Sequence, residues 1–67
     1  MFNIIYTYGG EHKFYNYGSE HDARLKFEIL KYMVDECTAN GIYSSVTMSR
    51  ISIYGIEEES YDNFDSI

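Results

Sequence analysis

A chain of 67 residues, 45% of them hydrophobic, has room for one small hydrophobic core, which excludes an enzyme with a deep pocket between two subdomains and predicts a folded chain instead of a disordered one. No apolar run approaches the ~18 residues a bilayer span requires, and no basic-then-apolar segment opens the chain, so neither a membrane span nor a secretory leader is expected. The net charge of −6 has the wrong sign for releasing counterions from phosphate or for adsorbing to anionic lipid, so direct contact with nucleic acid or membrane is not expected.

Two strand-like segments come first, residues 1–8 and 11–17, rich in Ile, Tyr and Phe and separated by Gly9-Gly10. A two-residue hairpin closed there sets Tyr8 opposite Glu11, Tyr6 opposite Lys13, Ile4 opposite Tyr15 and Phe2 opposite Tyr17. Phe2, Ile4, Tyr6, Tyr15 and Tyr17 then share the more apolar face, the expected core side. Asn3, Ile5, Thr7, His12, Phe14 and Asn16 share the other.

The segment from Ser19 to Gly41 predicts a helix. Ser19 with Asp22 three residues on is a capping-box-like start, acids follow in the first turn, and Asn40-Gly41 supplies a left-handed stop. Ala23, Phe27, Leu30, Val34 and Cys37 recur at spacings of four and three, as one buried stripe requires. Arg24, Glu28, Lys31 and Asp35 alternate in sign and are expected on the opposite, solvated face. Leu25, Ile29, Tyr32 and Met33 add a second apolar stripe. The combined arc of roughly 220° exceeds the ~100° that a surface helix needs. A second subunit, the C-terminal segment folding back through Tyr61, Phe64 and Ile67, or a target protein would cover it.

Residues 42–54 are rich in β-branched, Ser and Tyr residues. Ile42, Val46 and Met48 alternate in one phase and Ile51 and Ile53 in the other, which predicts a bulge near Ser49-Arg50 or a break into two short strands. The expected fold is therefore α+β: a ββαβ(β) antiparallel sheet of three or four strands with one helix packed across a face. A compact domain over residues 1–56 is expected to end in an acidic C-terminal tail over 57–67.

That division follows the charge. Residues 1–56 carry six acids and five bases, whereas residues 57–67 carry Glu57, Glu58, Glu59, Asp62 and Asp65 and no base. Tyr61, Phe64 and Ile67 recur between them at a spacing of three. Such a segment serves either as a solubilising terminus or as an anionic arm whose carboxylates stand in for phosphates, with Tyr61 and Phe64 as anchors in a groove lined by Lys and Arg.

Catalysis and metal binding have weaker support. Cys37 with His12 or His21 pairs a nucleophile with a base on paper, but Cys37 falls on the buried helical stripe, where cysteine acts as a small hydrophobe. Glu57 and Glu59 lack the desolvation that separates an acid from a base. His12, His21 and Cys37 have no zinc-site spacing, and four helical turns, about 24 Å at 1.5 Å per residue, part His21 from Cys37. Asp62-Asn63-Phe64-Asp65 lacks the glycine and closing Glu of a calcium loop. No catalytic residue, metal or cofactor is expected. A lone cysteine forms no intrachain disulfide, so a reducing cytoplasm is the expected compartment.

The Tyr6-Thr7-Tyr8-Gly9-Gly10 hairpin, the Ser19–Gly41 helix, the Glu57-Glu58-Glu59 run and the eight tyrosines together resemble small phage-encoded inhibitors of the anti-CRISPR type, some of which are acidic and occupy a nuclease's nucleic-acid-binding surface. The likeness is one of size and composition over the whole chain and involves no shared motif. It implies a non-enzymatic inhibitor whose partner is a protein with a basic nucleic-acid-binding surface, such as a CRISPR nuclease, and it carries over no residue by position; the chemistry of the acidic segment itself points to Glu57, Glu58, Glu59, Tyr61, Asp62, Phe64 and Asp65 as the partner-binding residues. The alternatives are a homodimeric structural or regulatory domain packed through Leu25, Ile29, Tyr32 and Met33, or a small metal-binding protein.

Overall fold

Gly9 takes a positive φ of 57° while Gly10 does not, the signature of a type II′ turn. This turn joins β1 (Phe2–Tyr8) to β2 (Glu11–Tyr17) in the register expected from the two glycines, with Ile4 opposite Tyr15 and Tyr8 opposite Glu11. The structure, a computed structural model, describes residues 1–66; Ile67 lies outside the described residues. After the hairpin come α1 (Glu20–Ala39), β3 (Ser44–Ser52) and β4 (Gly55–Asp62). The four strands form one antiparallel sheet in the order β2-β1-β3-β4, with α1 across one face.

Both ends of α1 are built as the sequence implies. Ser19 Oγ accepts from the Asp22 N–H at 3.4 Å. At the other end Gly41, at φ 71°, donates to Thr38 O while Ile42 donates to Cys37 O at 2.9 Å. These two bonds form a Schellman motif, which satisfies carbonyls that the last turn leaves without partners. Ala23, Phe27, Leu30, Val34 and Cys37 are all buried. They pack on Ile4 and Tyr6 from β1 and on Val46 and Met48 from β3, with Phe2, Tyr15 and Tyr17 half-buried at the margin. Burial pushes the pKa of the Tyr6 hydroxyl up, and its oxygen lies 3.8 Å from Cys37 Sγ.

Three expectations need correction. First, β3 contains no bulge and no break: its register with both β1 and β4 is continuous through Ser49 and Arg50. Ile51 belongs simply to the uncovered face, and Ile53 to the turn. Second, the boundary expected after residue 56 falls inside β4, which is hydrogen-bonded along its length to β3, so residues 57–62 belong to the sheet. Third, Arg24, Lys31 and Asp35 do not form an isolated solvated face. They flank the helix on the side of β4 and engage Glu59 and Tyr61 there.

Asn63 fixes the chain after β4. Only 2% exposed, it accepts at Oδ1 from the Ser44 N–H (2.8 Å) and donates from Nδ2 to Ile42 O (2.8 Å). Its own N–H donates to Ser44 O. Ser44 Oγ in turn donates to Thr7 O at 2.8 Å, so one buried polar cluster ties the end of β4 to the starts of β3 and to β1. These groups are costly to bury without partners, and here each has one.

Candidate acidic edge strand and hairpin tip

Alternation along β4 assigns its acids to two faces. Pairing of Met48 with Glu59 and Arg50 with Glu57 places Glu57, Glu59 and Tyr61 on the helix side, and Glu58, Ser60 and Asp62 on the uncovered side. Every residue of β4 is exposed.

The helix-side acids have partners within the chain. Arg24 grips Glu59 with two hydrogen bonds, 2.8 and 3.0 Å, and Arg50 donates to Glu57 at 2.5 Å. Bonding to Arg24 holds the Glu59 carboxyl below its ordinary value of 4.5 and raises the pKa of the Arg24 guanidinium. Because the folded value is depressed, the stabilisation from this pair is present above the unfolded pKa and is lost as pH falls through the folded one. With both side chains about half exposed, the contribution is under about 1 kcal/mol. Arg24→Met is therefore expected to lower stability slightly at pH 7, and by less once the pH has fallen below the depressed folded-state value and Glu59 is protonated, as read by urea unfolding across a pH series.

Tyr61 donates to Asp35 at 2.5 Å, a bond that raises the tyrosine pKa. Phe64 leans on Tyr43 with ring centroids 6.0 Å apart and is half exposed. Neither residue covers the second helical stripe: Leu25, Ile29, Tyr32 and Met33 remain 53, 55, 72 and 43% exposed. Among the described residues, Glu58, Asp62 and Asp65 form no ion pair.

The cations show the opposite tendency. Arg24 and Lys31 lie over the Phe27 ring, Lys26 over Tyr15 at 4.4 Å and Arg50 over Phe2. Four of the five basic side chains thus rest against the protein's own aromatic rings, and the net charge of −6 leaves carboxylates in excess.

A second feature escaped the sequence reading. Phe2 pairs with Arg50, so β1 ends there and the β3–β4 hairpin continues alone past the sheet. The molecule is accordingly drawn out to 39 × 20 × 17 Å. The extension carries Ile51, Ile53, Tyr54 and Ile56, which are 67, 92, 90 and 66% exposed. Its turn is held by Ser52 Oγ, which accepts from the Tyr54 N–H at 3.1 Å. The signal was present as a six-residue uncharged stretch between Arg50 and Glu57; its shifted phase suggested a bulge, where it marks side chains that no layer covers.

Residues considered for chemistry lie apart. Cys37 is buried on the inner face of α1, His12 sits on the uncovered sheet face with Nδ1 3.1 Å from Thr7 Oγ1, and His21 is exposed in the first helical turn. No group of three metal-ligating side chains occurs among the described residues. The cleft between the start of α1 and the acidic strand, lined by Arg24, Arg50, Glu57 and Glu59, measures only about 80 Å³. No helix among the described residues is long and apolar enough to cross a membrane. No family model matches the chain, and neither does any curated protein or solved structure.

Proposed function

We propose that this chain is a non-enzymatic protein-binding inhibitor that occupies the basic nucleic-acid-binding surface of a nuclease, in the manner of anti-CRISPR proteins, and acts in the cytoplasm. The observation that carries the proposal is the fixed spacing of carboxylates on β4. An antiparallel strand advances ~3.4 Å per residue, and one strand of duplex nucleic acid carries one charge per ~3.4 Å of its axis. Glu57, Glu58 and Glu59 follow one another at that rise along an edge strand, Glu58 on one face and Glu57 and Glu59 on the other, with Asp62 at the end of the strand and Asp65 in the turn beyond it.

Glu58, Asp62 and Asp65 are the groups free to meet a cationic groove first. Glu57 and Glu59 can follow, because exposed ion pairs such as theirs with Arg50 and Arg24 are weak and exchange readily for a partner's Arg or Lys. The hairpin tip supplies what charge alone does not. Ile51, Ile53, Tyr54 and Ile56 form an apolar anchor beside an anionic strand, the arrangement of a desolvated centre with a charged rim.

The test is competition. The protein is titrated against CRISPR nucleases loaded with fluorescent target DNA, and displacement of the DNA is followed. The triple variant Glu57→Gln, Glu58→Gln, Glu59→Gln is expected to lose at least tenfold in potency while keeping its circular dichroism. Equal potency of the variant and the parent would remove the β4 acids from the mechanism.

A further inference from the structure

We infer that the chain forms a two-fold homodimer by antiparallel pairing of β2 with β2 of a second copy. The sheet has two free edges, β2 and β4, and free edges are templates for further strands unless something blocks them. The two edges differ sharply in what they would place opposite themselves.

On β4, any two-fold antiparallel register over most of the strand sets an acid against an acid. Centred on Glu58 it opposes the two Glu58 side chains and sets Glu57 against Glu59; centred on Ser60 it sets Glu58 against Asp62. Like charges directly opposite are destabilising, so β4 is blocked against its own copy.

On β2 the same operation is free of conflict. In a two-residue hairpin the residues flanking the turn form a hydrogen-bonded pair, so Glu11, Lys13, Tyr15 and Tyr17 direct their backbone groups to β1. Those of His12, Phe14 and Asn16 then point out of the sheet. A two-fold axis at Phe14, the middle residue of β2, makes Phe14 a hydrogen-bonded pair with itself. It sets His12 opposite Asn16, Lys13 opposite Tyr15 and Glu11 opposite Tyr17. All seven residues pair and no like charges face each other.

Side chains favour the same axis. Phe14 is 69% exposed although it sits on a strand, and its β1 neighbour Ile5 is 41% exposed on the same uncovered face. The dimer joins the two Phe14 rings and both Ile5 side chains into one continuous apolar row across the widened sheet. Electrostatics permit the approach. Glu11 and Lys13 balance on β2, while the acids of β4 lie three strand spacings away, about 14 Å at ~4.8 Å per strand, beyond the ~8 Å screening length at physiological salt.

Growth stops at two copies, because pairing consumes both β2 edges and leaves a blocked β4 at each end. Strand pairing of this length covers less than the ~800 Å² per partner of a standard interface, so a reversible dimer is expected. The inference is independent of the nuclease proposal, and it leaves both acidic edges accessible.

Sedimentation velocity over a concentration series tests it, with circular dichroism as the check on folding. The parent protein is expected to show a monomer–dimer equilibrium in the micromolar range or weaker. Phe14→Lys, which opposes two like charges at the axis on an already exposed position, is expected to weaken it at least tenfold with the fold intact. The triple Gln variant of β4 is expected to dimerise as the parent does. A parent that stays monomeric at every concentration, a dimer that survives Phe14→Lys, or an open-ended series of larger species would each overturn the inference.

Discussion

Phe27→Ala is expected to leave the chain largely unfolded at 25 °C. Phe27 is the largest fully buried side chain, 1% exposed, at the centre of the cluster formed by Ile4, Leu30, Val34, Val46 and Met48. Truncating a buried Phe costs about 3–5 kcal/mol in lost transfer energy and residual cavity. A core of this size provides a net stability of roughly 3–5 kcal/mol, so the loss matches the whole reserve. The ring also forms the floor under Arg24 and Lys31, and its removal loosens the helix flank that holds Glu59. Urea unfolding followed by far-UV circular dichroism measures the effect. A loss under about 1 kcal/mol would show that the helix–sheet packing does not hold the fold together.

Asn63 should be nearly as sensitive, for a different physical reason. Asn63→Ala deletes one acceptor and one donor at once and leaves the Ser44 N–H and the Ile42 carbonyl without their partners. Each unsatisfied buried group costs about 1–3 kcal/mol, so a combined loss of about 2–6 kcal/mol is expected, with fraying concentrated at the end of β4. Asn63→Asp separates the two roles. The acid keeps the acceptor for Ser44, but when ionised it brings a charge against the Ile42 carbonyl oxygen in a buried site. Burial and the carbonyl both raise its folded-state pKa. The variant is therefore expected to be at least as unstable as Asn63→Ala at pH 7 and to recover stability as the pH falls and the carboxyl protonates and donates. Amide exchange at Ser44 and Asn63 would report both effects locally, and a pH-independent Asp variant would contradict the buried-cluster account.

These two residues also mark what the sequence could and could not disclose. Phe27 was legible because helical periodicity is local: the spacing of Ala23, Phe27, Leu30, Val34 and Cys37 identifies the buried stripe without knowledge of what covers it. The hairpin register was legible for the same reason, being set by Gly9-Gly10 and strand alternation. Asn63 was not. Its partners, Ile42 and Ser44, lie 21 and 19 residues away, and nothing in a polar residue between Asp62 and Phe64 announces a buried anchor.

The fourth strand was obscured by its own charges. Glu57 and Glu59 occupy helix-side positions that an apolar pattern would have marked. Arg50 and Arg24 compensate them there, the latter from 35 residues away. An ion pair between separate elements leaves no periodic trace, so an exposed strand reads as a charged tail. The same pairing alters the picture of an acidic arm: the carboxylates stand on a fixed edge strand, and two of them must change partners for a cationic surface to use them.

The central claim, that the β4 acids stand in for phosphates, is most directly tested by the salt dependence of affinity for a nuclease whose DNA the protein displaces. The slope of log K against log salt is compared for the parent and for the variant carrying Gln at 57, 58 and 59. The account predicts a steep inverse dependence for the parent, reflecting attraction between the acidic edge and a basic groove, and a clearly flatter one for the variant. Identical slopes for the two proteins would contradict it.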